Sequence, residues 1–169
     1  MKISLNWLKQ YVNLDGLSVD EIENKITLLG LEVDEVISVG SNLAGVVVGK
    51  VITCIPHPDA DRLKLTTVDI GSDELVSIVC GAPNVAAGQL VPVATVGATL
   101  PVEIKPGEFL TIRKSKIRGQ VSEGMICAED EIGLGKGHDG ILVLDSSLKA
   151  GTPLSEVFTV EHDKIIEIG

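Results

Sequence analysis

Between Leu75 and Val102 the chain runs for 28 residues without a charged side chain. A run of that length could cross a bilayer as a helix. Pro83, Pro92 and Pro101 break it, as do Gly81, Gly88 and Gly97, and Asn84 and Gln89 lie inside it. A lipid-exposed helix could not satisfy its backbone across so many breaks. Buried strands joined by a turn satisfy both the apolarity and the punctuation, so the run predicts a β core and no membrane span.

The pattern extends on both sides of this run. Strands are expected near Val46–Ile55, Leu63–Ile70, Val76–Cys80, Leu90–Val96 and Leu110–Ile117, followed by "GMICA" and "GILVL". About five short strands with uneven loops suit a small barrel of the OB type. The flanks read differently. Ser18 and Glu21 form a capping box, and Val19, Ile22, Ile26 and Leu29 follow at helical spacing, with Gly30 placed to end the helix. A shorter helix is expected from about Ser4, with Leu5, Leu8 and Val12 inward and Trp7 and Tyr11 as further apolar contacts. "LEVDEVISVG" supplies a strand, "PLSEVF" a second helical stretch, and "DKIIEIG" an alternating strand that stops without a closing element, as in a fragment of a longer protein.

These signals predict a mainly β chain with flanking α/β: an OB barrel over 41–151, inserted into a small discontinuous α+β domain made of 1–40 and 152–169. The capped helix would lay Ile22, Ile26 and Leu29 against "KIIEI". Charge follows the same division. The net charge of −10 divides as −4 over 1–40, −3 over 41–151 and −3 over 152–169. Most cations therefore lie in the barrel, and the acidic flanks exclude a chain that coats nucleic acid indiscriminately.

Chemistry-bearing residues give little for catalysis. Three widely spaced cysteines, Cys54, Cys80 and Cys127, form no disulfide framework and fit a reducing cytoplasm, and no secretory leader is legible. A metal site would have to join Cys54 and His57 to His138 or Cys127, without any paired-cysteine spacing. Glu129, Asp130 and Glu131 read as a solvated acidic run, and "GLGKGHDG" lacks the phosphate-loop spacing. No nucleophile–base pair can be argued, so the chain alone is expected to be no enzyme and to hold no metal.

One segment stands apart. In "RKSKIRGQVSEGM", Arg113, Lys114, Lys116 and Arg118 fall within six positions. As a strand it would place Arg113, Ser115 and Ile117 on one face and Lys114, Lys116 and Arg118 on the other, a stripe suited to phosphates. A charged strand edge that resists aggregation explains the same residues. Arg62 and Lys64 in "HPDADRLKL" could extend the cationic surface, with Asp59 and Asp61 as turn formers and His57 as a loop residue. Only Phe109 supplies an aromatic ring in the barrel region, so charge and shape, rather than base stacking, are what it can offer.

"HPDADRLKLTTVDIG", "VCGAPNV" and "KIRGQVSEGMICAEDEIGL" together resemble the EMAP-type tRNA-binding domain, an OB barrel. "MKISLNWLKQYV" and "LLGLEVDEV" resemble the amino terminus of the bacterial phenylalanyl-tRNA synthetase β subunit family, in which such a barrel is inserted. The resemblance covers essentially the whole chain. It implies an auxiliary tRNA-binding module that helps capture or orient phenylalanine-specific tRNA, with Lys116 to Met125, including Arg118 and Ser122, on the tRNA-facing side. It also implies a cytoplasmic heterotetramer of two α and two β chains, with ATP and magnesium used by the full synthetase, none of it in this chain, and no DNA partner. The editing and anticodon-recognition parts would lie beyond the last residue here. A structural or assembly role with little tRNA contact is the competing expectation, favoured by the net negative charge and the scarcity of aromatics.

Overall fold

The computed structural model describes residues 1–39, 43–158 and 163–169. In chain order the elements are β1 (Lys2–Ser4), α1 (Leu5–Leu8), α2 (Val19–Leu28), β2 (Val33–Val39), β3 (Val46–His57), β4 (Ala60–Asp69), β5 (Val76–Cys80) and β6 (Leu90–Ala94). They continue as β7 (Thr99–Lys105), β8 (Glu108–Thr111), β9 (Ser115–Ile117), β10 (Gln120–Ser122), β11 (Met125–Ile126), α3 (Leu154–Val157) and β12 (Asp163–Ile168). The chain divides into two compact units, Met1–Gly40 with Glu161–Gly169, and Ser41–Val160.

The smaller unit is an antiparallel sheet in the order β1–β12–β2, with α1 and α2. The capping box forms as its residues require. Ser18 Oγ accepts from the Glu21 N–H at 3.3 Å, and Glu21 Oε2 accepts from the Ser18 N–H at 2.7 Å. Ile22, Leu5, Ile166 and Ile168 make the buried cluster, with Ile26 and Leu8 packed against it. Leu29 does not join them. It is 81% exposed because the helix ends at Leu28 and Leu29 turns out at the cap. Trp7 is exposed on α1, and Tyr11 and Val12 are exposed beyond its end at Leu8; the Trp7 and Tyr11 ring centroids are 4.8 Å apart.

The larger unit holds a five-stranded antiparallel sheet, order β11–β6–β3–β4–β5, coiled into a nearly closed barrel of the OB type. The long β3 makes this possible. Its first half pairs with β6 and its second half with β4, around a bulge between Val51 and Thr53. Gly49 stands inside this bend. A Cβ there would lie 2.5 Å from Val93 Cγ2 and 2.8 Å from Val68 Cγ1, so the crossing requires glycine. β6 is buried along its whole length. Leu90 and Ala94 enter one core cluster, with Val46, Leu100, Ile132 and Leu154, while Val91 and Val93 enter the other, with Val51, Val68 and Ile78. That two-sided burial is why the middle of the charge-free run, β6, admits no charge. Each fully buried Val, Leu or Ile contributes roughly 1.5–3 kcal/mol.

Several expectations change. The charge-free run contains β5 and β6 and also enters β7, which the sequence reading missed. The strand expected over Leu110–Ile117 is two strands: Ile112, 6% exposed, still bonds Ala98 and Gly97 through its N–H and carbonyl, and the pairing breaks at Arg113 and Lys114 before β9 begins. "GILVL" forms only a bridge, Leu90 to Leu144. α3 and Phe158 belong to the barrel unit, with Leu154 fully buried in its core, so the second boundary falls later than 151/152.

Candidate nucleic-acid interface

The basic segment folds as a tight hairpin. β9 pairs with β10 through Ile117–Gln120, Lys116–Val121 and Ser115–Ser122, leaving only Arg118 and Gly119 in the turn. Both have left-handed backbones, φ 52° and 83°, the signature of the type I′ turn that matches strand twist. Arg118 is the one non-glycine residue at positive φ among those described, which costs on the order of 1 kcal/mol. The hairpin thus carries an exposed guanidinium at its tip at the expense of backbone strain.

This geometry breaks the expected stripe. Lys114 lies before β9 and pairs with Glu123, Nζ to Oε1 at 2.8 Å. Lys116 is exposed on β9, and Arg118 is in the turn rather than on a strand face. Arg113, Ser115 and Ile117 share a different surface, as the alternation implied. They line a concave groove of about 590 Å³, together with residues 79–83, 122, 124–126 and 138–141. Met125 lines it as well. Arg113, not singled out as a contact residue, is therefore the cation that faces the groove. His138 also lines it, its Nδ1 2.9 Å from Asp130 Oδ1, and that carboxylate holds the imidazole pKa above the ordinary histidine value.

Ser122 is only 3% exposed. Its Oγ accepts from the Val79 N–H at 3.1 Å and donates to the Gly124 carbonyl at 3.3 Å, while the Glu123 N–H donates to the Ser77 carbonyl at 2.8 Å. β5 would otherwise present an unpaired edge here, and these bonds fasten the hairpin to it and narrow the barrel's seam. The serine hydroxyl is used internally.

The other motif segments act chiefly as ties. Lys64 Nζ donates to the carbonyls of Pro83 and Val85 at 3.2 and 3.0 Å, whereas Arg62 is exposed. Asn84 bonds both backbone groups of Ile141, each at 2.9 Å, which holds the 138–141 loop beside the groove. His57 is buried rather than a loop residue, and it fixes the Pro58–Asp59 turn by accepting the Asp59 N–H at 2.9 Å. The Asp59 carboxylate, expected to form the turn, is replaced in that task by the imidazole.

Among the described residues no three His, Cys, Asp or Glu side chains are grouped to hold a metal, and no helix is long and apolar enough to cross a membrane. Burial pushes the Cys127 thiol up to about 12 and also raises that of Cys80, which keeps both protonated and unreactive. Glu131 caps the Ala128 N–H at 2.6 Å.

A barrel of the OB type with a cation-tipped hairpin beside a groove defines a nucleic-acid-binding class of domain. Residues 46–153 match the family described as "Putative tRNA binding domain", and the chain belongs to that family. Over 99% of its length it is 51% identical to the phenylalanine–tRNA ligase β subunit of Bacteroides fragilis and 48% identical to that of Chlorobaculum tepidum. It spans 20% of the length of each. A MetRS-related protein of Pyrococcus horikoshii shares 18% identity, with a TM-score of 0.45 over 63% of this chain and 85% of that one. That likeness adds nothing to the assignment.

Proposed function

We propose that this chain is the auxiliary tRNA-binding module of a phenylalanine–tRNA ligase β subunit, capturing or orienting tRNA for aminoacylation performed elsewhere in the enzyme. The observation that carries this reading is the β9–β10 hairpin, with exposed Lys116 and strained, exposed Arg118 beside a groove edged by Arg113. Strain retained at an exposed cation is understandable where the cation meets a phosphate. Arg62 extends the same kind of surface. Lys64, Lys114 and Ser122 support it from within, through the bonds described above. Met125 contributes apolar groove surface. On this reading the working enzyme is a cytoplasmic heterotetramer of two α and two β chains. ATP and magnesium act at a catalytic centre supplied by the α subunit.

Titration of the chain with tRNA at graded salt tests the proposal. With ~3–5 phosphates neutralised, log K against log salt should slope at roughly −2 to −4. Changing Lys116 and Arg118 together to Ala should flatten the slope by about 2. An unchanged slope would favour the second reading, a structural module of the synthetase. The net charge of −10 and the internal use of Lys64 and Ser122 speak for that alternative.

A further inference from the structure

Among the described residues His57 is the buried imidazole, at 5% exposure, and both ring nitrogens are engaged by backbone. The Asp59 N–H donates to Nδ1 at 2.9 Å, so Nδ1 is an acceptor and the ring proton sits on Nε2. Nε2 in turn donates to the Ile117 carbonyl at 3.2 Å, across 60 residues of sequence. Ile117 directly precedes Arg118. One ring therefore ties the turn between β3 and β4 to the last residue of β9, beside the hairpin's cation-bearing turn.

That tie matters because the hairpin has little else. Its strands are three residues each, they form a two-stranded sheet by themselves, and a hairpin of that size is marginal alone. Ser122 and Glu123 fasten the β10 end. On the β9 side, among the described residues, the backbone bond outside the hairpin is the one to His57. Without it Arg118 would have to be ordered at the moment of binding, and that ordering is a direct loss of affinity.

We propose that His57 is a positioning residue for tRNA recognition, holding β9 so that Arg118 is presented in one direction before RNA arrives. This rests on the reading that the hairpin contacts tRNA. The two nitrogens can be separated by substitution in the whole chain. In His57→Asn the shorter amide can still accept the Asp59 N–H, as asparagine does in an Asx-turn, but cannot reach Ile117. In His57→Gln the amide N–H₂ falls near the position of Nε2 and keeps the tether.

Without RNA, amide hydrogen exchange at Lys116–Gly119 should accelerate in His57→Asn and stay close to wild type in His57→Gln. With tRNA at low salt, His57→Asn should bind roughly 3- to 10-fold more weakly and His57→Gln nearly as well as wild type. In an Arg118→Ala background His57→Asn should weaken binding no further. A merely structural histidine would give equal losses in both variants, or a loss that adds to that of Arg118→Ala, and either result overturns the proposal. Unchanged exchange in His57→Asn sinks the positioning claim alone. An Arg118→Ala chain that binds tRNA like wild type sinks the functional reading, and the positioning claim with it.

Discussion

At the scale of the residue, Arg118 sets backbone comfort against an exposed charge. Asparagine is among the residues favoured at the first position of a type I′ turn, so Arg118→Asn should stabilise the fold by about 0.5–1 kcal/mol. The same change removes the tip cation and should weaken tRNA binding. Thermal unfolding and RNA titration of one variant would then move in opposite directions, whereas a residue of no functional weight would show only the gain. His138 offers a second check at this scale. Its pKa is raised by the hydrogen bond and charge of Asp130, so the pair stabilises the fold fully below the ordinary histidine value. That contribution is lost as pH rises through the higher folded value. The imidazole titration followed by NMR should shift down toward the ordinary value in Asp130→Asn. The proton also adds a cation to the groove lining, so tRNA affinity should rise as pH falls through the same window.

At the scale of the element, β3 is the strand on which the barrel turns. Gly49→Ala should cost roughly 1–3 kcal/mol, read as a fall in the denaturant midpoint, because the added methyl meets Val93 and Val68 where the sheet coils. The strands from β3 to β6 were legible because their apolar runs end at turn residues. β7 was not, although Leu100, Val102 and Ile104 alternate with Thr99, Pro101, Glu103 and Lys105, because Pro101 reads as a strand breaker and most of the strand is exposed. The break before β9 was equally hidden. Nothing local in "LTIRKSKI" says that the pairing stops after Ile112 and resumes with a different partner at Ser115. The site divides the same way. Its cations could be read from the sequence, but their company could not. Lys64 on two carbonyls, Ser122 on Val79 and His57 on Ile117 are all contacts between residues far apart in the chain.

At the scale of the whole molecule, the barrel unit ends later than composition suggested. Leu154 is fully buried in its core, so a fragment of residues 41–160 should unfold cooperatively, while one ending at 151 should be less stable by about 2–5 kcal/mol in a denaturant titration. The smaller sheet has a different dependence on chain order. Its central strand, β12, lies between β1 and β2, and Asp163 comes 124 positions after Val39. At ~5–20 residues per second, a ribosome takes roughly 6 to 25 s to cover that distance. For that interval β1 and β2 wait without the strand that joins them, and every strand of the barrel is made before it arrives. Of the two units, the one whose synthesis begins first is therefore the second to be completed, and until then its oldest strands have no central partner.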